Sequence, residues 1–193
     1  MVETTADACV SLAEGEVLEN KFRHKSNLSV NTYIKIIERK TAQPIRAGAM
    51  VGAYLAKSGP DEIEAMGSYG LDLGVAFQMI DDILDFTGDS KRTGKAGGTD
   101  LKEGHLTLPS LLAIKESKAA KAAILKLIAQ DEPSPKAIKE CTELVRKTPA
   151  IDKARATAEL YGLEALQHLG CLPHNNHSQS LKDIIARVLE RDS

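Results

Sequence analysis

The feature that most constrains the fold is an acidic stripe on an otherwise apolar stretch, residues 77–89. Residues three or four apart lie on one face of an α-helix. The polar side chains of this stretch follow that spacing, and they are Gln78, Asp81, Asp82, Asp85 and Asp89. Most other positions carry large apolar side chains, and a helix that is apolar nearly all round is normally buried. The sequence therefore predicts a buried helix with carboxylates along one side.

The carboxylates of such a helix constrain its chemistry as well. They lose hydration and repel one another, so they need a cation, a proton or a basic partner. Oxygen ligands with no Cys or His beside them favour a hard cation such as Mg²⁺. The alternative is a helix cap with solvated charges, but a solvated face would carry Lys and Glu neighbours. The stripe therefore points to phosphate chemistry held by a metal at Asp81, Asp82 and Asp85.

Composition excludes several other classes of protein. The chain has 193 residues and a net charge of −2, so it has no overall attraction to nucleic acid. No apolar run approaches the roughly 18 residues of a membrane span. The N-terminus lacks the basic region of a signal peptide, and scattered cysteines favour a reducing compartment. We expect one helical domain, residues 1–193, in the cytoplasm or an organelle matrix, without a nucleic-acid partner or a transmembrane segment.

Helical periodicity extends along the chain, and no alternation of apolar and polar residues persists long enough for a strand. The predicted fold class is therefore all-α. Pro44 is expected to kink its helix, because proline removes a backbone donor and clashes with the preceding turn. Residues 87–104 and 173–178 are predicted to be loop and turn. The predicted helices cover residues 4–20, 31–57, 61–70, 71–86, 106–115, 118–129, 135–147, 151–169 and 181–190, and the helix of 61–70 either continues into that of 71–86 or breaks briefly before it.

Two further segments carry candidate phosphate-binding groups. In residues 91–100, glycines let the backbone approach phosphate oxygens, and Lys95 lies between them. This is not a nucleotide-binding P-loop, because its glycines are spaced one residue too far apart. Lys40 and Thr41 precede Pro44 and offer an ammonium and a hydroxyl group to a cavity. Taken alone, each segment is also compatible with ordinary solvated surface.

Together these residues resemble the trans-isoprenyl (polyprenyl) diphosphate synthases. Long-chain and geranylgeranyl-type members are the most similar. The resemblance implies an isoprenoid-synthase-type helical bundle around a deep cavity. The matching segments occur in the order and at about the spacing of the family, and they are Gly15-Glu16, residues 33–41, residues 69–78, Asp81-Asp82-Ile83-Leu84-Asp85, Gly94-Lys95 and residues 98–109.

The resemblance implies a reaction, the head-to-tail condensation of isopentenyl diphosphate with an allylic diphosphate. The allylic diphosphate leaves as pyrophosphate, and the double bond of isopentenyl diphosphate attacks the resulting carbocation. Mg²⁺ ions stabilise the charge that develops on the leaving group. In this interpretation Asp81, Asp82 and Asp85 form the second aspartate-rich motif of the family and bind Mg²⁺.

The same resemblance assigns four residues to the substrate side of the site. Lys40 and Lys95 are expected to contact the allylic diphosphate. Thr41 and Gln78 are expected to steady the carbocation and the departing oxygens. Lys40, Thr41 and Gln78 are therefore the predicted catalytic residues.

The sequence also departs from the family pattern. The family carries two aspartate-rich motifs, whereas this sequence has only the second, so it resembles the C-terminal part of the fold without its N-terminal helices. Glu19 replaces a usual Gln, and His105 replaces a usual Lys. Neutral His removes a permanent positive charge at pH 7. We therefore expect the chain to be incomplete as an enzyme by itself.

Three hypotheses remain open at this point. The first is a prenyltransferase that acts on allylic and isopentenyl diphosphates with Mg²⁺. The second is a non-catalytic helical partner or regulatory subunit of a complete polyprenyl diphosphate synthase. The third, which ranks last, is a related class I terpene synthase, although its usual Asn-Ser-Glu metal motif is not visible. In each case exposed apolar helices favour a homo- or hetero-oligomer.

Overall fold

The computed structural model describes residues 1–88 and 97–191. Within these ranges the chain is helical and contains no strand, which confirms the predicted all-α class. A π-helical turn, Glu38–Ala42, connects α2 to α3, and a 3₁₀ turn, Leu169–Cys171, follows α9. The helices are α1 (Val2–Phe22), α2 (Val30–Ile37), α3 (Gln43–Leu55), α4 (Pro60–Thr87), α5 (Thr99–Lys102), α6 (Leu108–Glu116), α7 (Lys118–Ile128), α8 (Pro135–Arg146), α9 (Ala150–His168) and α10 (Asn176–Leu189).

The described residues form two compact units. The first unit contains residues 1–17, 34–78 and 157–191, and the second contains residues 18–33 and 79–156. Helices α1, α2, α4 and α9 contribute residues to both units. The single domain expected from the sequence stays a prediction. None of the described helices combines the length and the apolar character that crossing a membrane requires.

The core of the first unit is built by α4, α9 and α10. Tyr69 and Leu73 lie one turn apart on α4, and Ala165 occupies the facing position on α9. Leu169 and Ile185 complete this buried cluster. Residues four apart on a helix share a face, so each element offers one apolar stripe to the cluster. These contacts hold the first half of α4 in place.

The core of the second unit includes the C-terminal half of α4. Met79, Ile80, Ile83 and Phe86 are at most 1% exposed. This confirms the prediction that the acidic helix is buried on its apolar faces. The side chains that accompany them in the core of this unit come from α5 to α9, and they include Leu101, Leu108, Ile124, Ile128, Val145 and Ala154.

The structure decides one boundary that the sequence left open and corrects another. α4 continues through Gly70, where the sequence was compatible with either a continuous helix or a brief break. A Cβ atom at Gly70 would lie 2.9 Å from the Cα atom of Arg46, so this glycine permits close packing and does not end the helix. α10 begins at Asn176 and not at residue 181. The Asn175 side chain accepts hydrogen bonds from the backbone N–H groups of residues 177 and 178, which caps the helix.

Candidate functional site

On the acidic face of α4, the predicted metal ligands Asp81 and Asp82 differ in exposure. Asp81 is exposed, whereas Asp82 is only 5% exposed. The hydroxyl group of Tyr33 donates a hydrogen bond of 2.6 Å to Oδ2 of Asp82. Tyr33 belongs to α2 and is itself only 3% exposed. A buried carboxylate requires such a donor, because burial removes its hydrating water.

Asp85 holds the backbone of the short helix α5. Its Oδ1 accepts the backbone N–H of Thr99 at 2.9 Å, and its Oδ2 accepts that of Asp100 at 3.2 Å. The backbone carbonyl of Asp85 also accepts the N–H of Gly98 at 2.9 Å. Gly98 has a φ of 86°, which favours glycine at this turn. Asp85 thereby places Asp100 beside the acidic face.

Asp100 makes this region a cluster of four aspartates. Burial is the largest effect that raises the pKa of the Asp100 carboxyl group, to about 8. The negative charges of Asp82, Asp85, Asp81 and Glu103 add to that increase, in this order. Near neutral pH the cluster therefore retains a proton when no cation balances its charge. Asp100 lies within the segment that matches the family pattern, but it was not among the predicted site residues.

The donor chemistry of this cluster fits a hard divalent cation. Carboxylate oxygens suit Mg²⁺, which keeps several waters and takes only one or two carboxylates from a protein. Among the described residues, no group of three or more His, Cys, Asp or Glu is already arranged as a metal site. Asp82 and Asp85 already accept hydrogen bonds in this structure. The cluster therefore fits a cation bound through few carboxylates and several waters.

The first unit gathers the three predicted catalytic residues. Oγ1 of Thr41 donates a hydrogen bond of 2.8 Å to Oε1 of Gln78. Nζ of Lys40 lies 3.2 Å from Oε1 of Glu16, and both side chains are partly exposed. The sequence comparison with the family already included Gly15-Glu16, but the pairing of Glu16 with Lys40 was not foreseen. Lys40 is thus held by a carboxylate in this structure.

The segment that carries Lys40 and Thr41 is a π-helical turn, where the sequence predicted a kink at Pro44. Pro44 has no N–H group to donate to a carbonyl four residues back. Instead the N–H of Gln43 donates to the carbonyl of Glu38, five residues back. The extra residue in this turn absorbs the proline without ending the helix abruptly. Short π-helical turns are frequent at functional sites.

Two glycines let neighbouring helices approach this turn closely. A Cβ atom added to Gly15 of α1 would lie 2.7 Å from the backbone nitrogen of Lys40. A Cβ atom added to Gly74 of α4 would lie 2.6 Å from the Cα atom of Ala42. Real Cβ atoms do not approach other atoms this closely. The backbone around Lys40 therefore packs closely against α1 and α4 because Gly15 and Gly74 have no side chain.

The predicted site residues fall into two groups. Lys40, Thr41 and Gln78 belong to the first unit, and the aspartates of α4 belong to the second. Lys95 lies outside the described residues, together with most of the glycine-rich loop that was predicted to carry it.

Comparison with known proteins decides the family. The polyprenyl synthetase family model matches residues 1–145. The chain belongs to the polyprenyl synthetase family. The family resemblance inferred from the sequence is therefore confirmed.

Curated members of this family are similar along almost the whole chain. Geranylfarnesyl diphosphate synthase of Natronomonas pharaonis is 32% identical over 190 residues, which cover 98% of this chain and 54% of the relative. Heptaprenyl diphosphate synthase component 2 of Bacillus subtilis is 36% identical over 191 residues, which cover 98% of this chain and 52% of the relative. The chain thus spans about half the length of these relatives.

Solved structures of the family share the fold. Polyprenyl synthase from Caulobacter crescentus, complexed with calcium and isoprenyl diphosphate, matches with a TM-score of 0.93 and 34% identity. That match covers all of this chain and 59% of the Caulobacter chain. Heptaprenyl diphosphate synthase from Staphylococcus aureus matches with a TM-score of 0.92 and 30% identity, over 99% of this chain and 59% of the other.

Proposed function

We propose that this chain provides the second aspartate-rich half of a prenyltransferase site. The reaction is the Mg²⁺-dependent condensation of isopentenyl diphosphate with an allylic diphosphate. The observation that carries the proposal is the gathering of Asp81, Asp82, Asp85 and Asp100 in one unit, where burial and then the charges of the other acids raise the pKa of Asp100 to about 8. A cluster with this much repulsion is suited to a divalent cation. The Caulobacter relative, which is complexed with calcium and isoprenyl diphosphate, supports the same assignment.

In this proposal the aspartates of α4 bind the cation and its waters. Asp81, which is exposed, offers its carboxylate to the cation directly. Asp82 and Asp85 contribute charge and accept hydrogen bonds from metal-bound waters. When bound, Mg²⁺ stabilises the negative charge on the departing pyrophosphate. The cluster therefore acts on the leaving group of the allylic substrate.

The polar groups of the first unit act on the substrate itself. The Lys40 ammonium binds the allylic diphosphate in place of its present partner, Glu16. The hydroxyl of Thr41 fixes the amide of Gln78 through their 2.8 Å hydrogen bond. The amide oxygen of Gln78 then presents its negative dipole end to the allylic cation. Lys95 contributes a second ammonium group to the diphosphate.

Incorporation of radiolabelled isopentenyl diphosphate tests the proposal. The assay contains Mg²⁺, geranyl, farnesyl or geranylgeranyl diphosphate, and a partner chain that supplies the first aspartate-rich motif. We expect Asp81→Ala to lower incorporation by about 100-fold or more, because a preorganised electrostatic group is lost. Asp61→Ala is the matched control, since Asp61 is an exposed acid in the first turn of the same helix. Equal activity of the two variants would contradict the proposed role of the cluster.

A second candidate function is a partner subunit without catalysis of its own. It is favoured by the name of the Bacillus subtilis relative, heptaprenyl diphosphate synthase component 2, which designates one component of a synthase. In that case the chain alone yields no product, and a complex with a complete synthase tolerates Asp81→Ala. If this chain contributes to catalysis, the same complex loses activity when Asp81 is replaced.

A further inference from the structure

The contact between Tyr33 and Asp82 is unusual among the polar contacts of the second unit. The two residues lie 49 positions apart in the sequence, on different helices, and both are nearly inaccessible. Their O–H···O distance is 2.6 Å. This length is typical of a hydroxyl group that donates to an ionised carboxylate, a bond about twice as strong as a neutral one. The phenol therefore restrains one specific oxygen of a buried acid.

A phenol differs from the other donors that a buried carboxylate can use. A Lys or Arg partner would neutralise the aspartate and reduce its attraction for a cation. A phenol hydroxyl donates a hydrogen bond without carrying a positive charge, so this bond orients Asp82 without neutralising it. The bond engages Oδ2 and restrains the orientation of the carboxylate group. An arrangement of this kind preserves charge for a ligand of opposite sign.

We propose that Tyr33 is a positioning residue for a divalent cation at the aspartate cluster. Its hydroxyl holds Asp82 in the orientation that the cation and its waters require. Outer partners of this kind align metal-binding groups in many proteins and strengthen metal affinity. The inference rests on the proposed function, since it assumes that the cluster binds a divalent cation. It assigns to α2, which bears none of the metal-binding acids, a specific part in cation affinity.

Tyr33→Phe tests the proposal because it removes only one oxygen atom and keeps the aromatic ring. Binding of Mn²⁺ is measured by electron paramagnetic resonance, and binding of Mg²⁺ by calorimetry, both on the whole chain. We expect affinity to fall by about 10- to 100-fold, the usual effect of losing an outer partner. Thermal unfolding of each variant without metal separates loss of affinity from loss of structure.

Tyr69→Phe is the matched control for the loss of a buried hydroxyl group. Tyr69 is also 3% exposed, and its hydroxyl donates to the backbone carbonyl of Leu181 at 3.1 Å, within the first unit. This variant should lower the melting temperature and leave Mn²⁺ affinity unchanged. If Tyr33→Phe behaves like Tyr69→Phe, the hydroxyl of Tyr33 has only a structural role and the proposal is wrong.

Two further variants separate this inference from the proposed function. Asp81→Ala should abolish Mn²⁺ binding, and unchanged binding would overturn the metal site itself. If Asp81→Ala loses binding while Tyr33→Phe keeps it, only the role of Tyr33 fails. In the background of Asp82→Asn, adding Tyr33→Phe should change affinity no further, because the hydroxyl acts through Asp82. An additional loss in that background would contradict a role through Asp82.

Discussion

Asp100 has a raised pKa, which results first from burial and then from the charges of neighbouring acids. In an unfolded chain its pKa is close to 3.8, whereas burial and the nearby acids raise its pKa to about 8 in the folded chain. The folded chain therefore binds a proton that the unfolded chain has released. This group contributes stability that is complete below about pH 4 and is lost as the pH rises through about 8.

We predict that the free energy of unfolding, measured without divalent metal, decreases as the pH rises between about 4 and 8. The contribution of Asp100 to this decrease is at most about 1.4 kcal/mol per pH unit. Asp100→Asn should flatten the dependence, since an amide does not titrate. Urea unfolding across this pH range provides the measurement. Asp61→Asn, at an exposed position, should leave the slope as it is in the unchanged chain.

The aspartates of α4 could be predicted from a periodic signal, whereas Lys40, Thr41 and Lys95 were predicted from the family resemblance. The spacing of Asp81, Asp82 and Asp85 predicts one shared face, and in the structure all three lie near enough to Asp100 to raise its pKa. The hydrogen bond from Tyr33 to Asp82 carries no such signal, because it joins residues 49 positions apart. The same is true of Asp100, which reaches the cluster through a short helix held by Asp85. Helical periodicity describes one element and gives no distances between elements.

At the scale of the elements, two glycines of α4 let neighbouring backbone pack closely against that helix. Gly70 lies against the backbone of Arg46, and Gly74 lies against that of Ala42. These two glycines are one turn apart and form a flat strip on the helix. Gly48 on α3 is different, since a Cβ atom there would meet nothing within 4 Å. Glycine is therefore needed for close packing at position 74, whereas at position 48 it only lowers the stability of the helix.

We predict opposite effects for two identical substitutions. Gly74→Ala should destabilise the chain by about 1–3 kcal/mol, because its new methyl group would overlap Ala42. Gly48→Ala should stabilise it by about 0.5–1 kcal/mol, because alanine favours a helix interior and nothing obstructs its side chain. Chemical unfolding of both variants measures the two changes. A stabilising Gly74→Ala would mean that α4 and the π-helical turn are not packed as described.

The ends of helices could be predicted where they depend only on local residues such as glycine and proline. Ser58-Gly59-Pro60 ends one helix and begins the next, and Pro109 lies in the first turn of α6 as expected. Gly70, where the sequence left a brief break open, lies inside α4 because it packs against Arg46. At Pro44, where a kink is predicted, the preceding hydrogen bonds take a π-helical register. The packing at Gly70 and the hydrogen-bond register before Pro44 cannot be seen in a local sequence pattern.

At the scale of the whole molecule, the first unit leaves several large apolar side chains exposed. On α9, Leu160 is 61% exposed and Leu163 is 54% exposed. Val10 and Val17 of α1 are also exposed. Isolated apolar residues are ordinary on a surface, but several on one helix favour association. The oligomer expected from the sequence therefore remains a prediction with a specific surface to test.

We predict that the chain associates with itself at micromolar concentration and that the exposed leucines contribute. The double substitution Leu160→Glu with Leu163→Glu should shift the population toward monomers, because two charges oppose burial of that face. Ala119→Glu with Ala122→Glu adds the same charge at two exposed positions of α7, three residues apart like the leucines, and should have little effect. Light scattering and sedimentation give the masses. A monomeric unchanged chain would contradict this expectation.

Fold class and family were predictable from the sequence, whereas the division into units was not. Helical periodicity without alternation is sufficient for an all-α chain, and ordered motifs are sufficient for a family. The two units share α1, α2, α4 and α9, so no linker or change in composition marks their limits. Continuous helices conceal such divisions, because the chain crosses from one unit to the other without a break in pattern.

The cluster around Asp100 also affects how this protein can change over time. Its acids repel one another in a folded chain without metal, so a neutral residue in place of the exposed Asp81 relieves repulsion, whereas Asp85 also holds the backbone of α5. A library selected only for heat resistance would accumulate replacements of Asp81. A library selected for the proposed catalysis would reject them. At this position durability and the proposed activity therefore select in opposite directions.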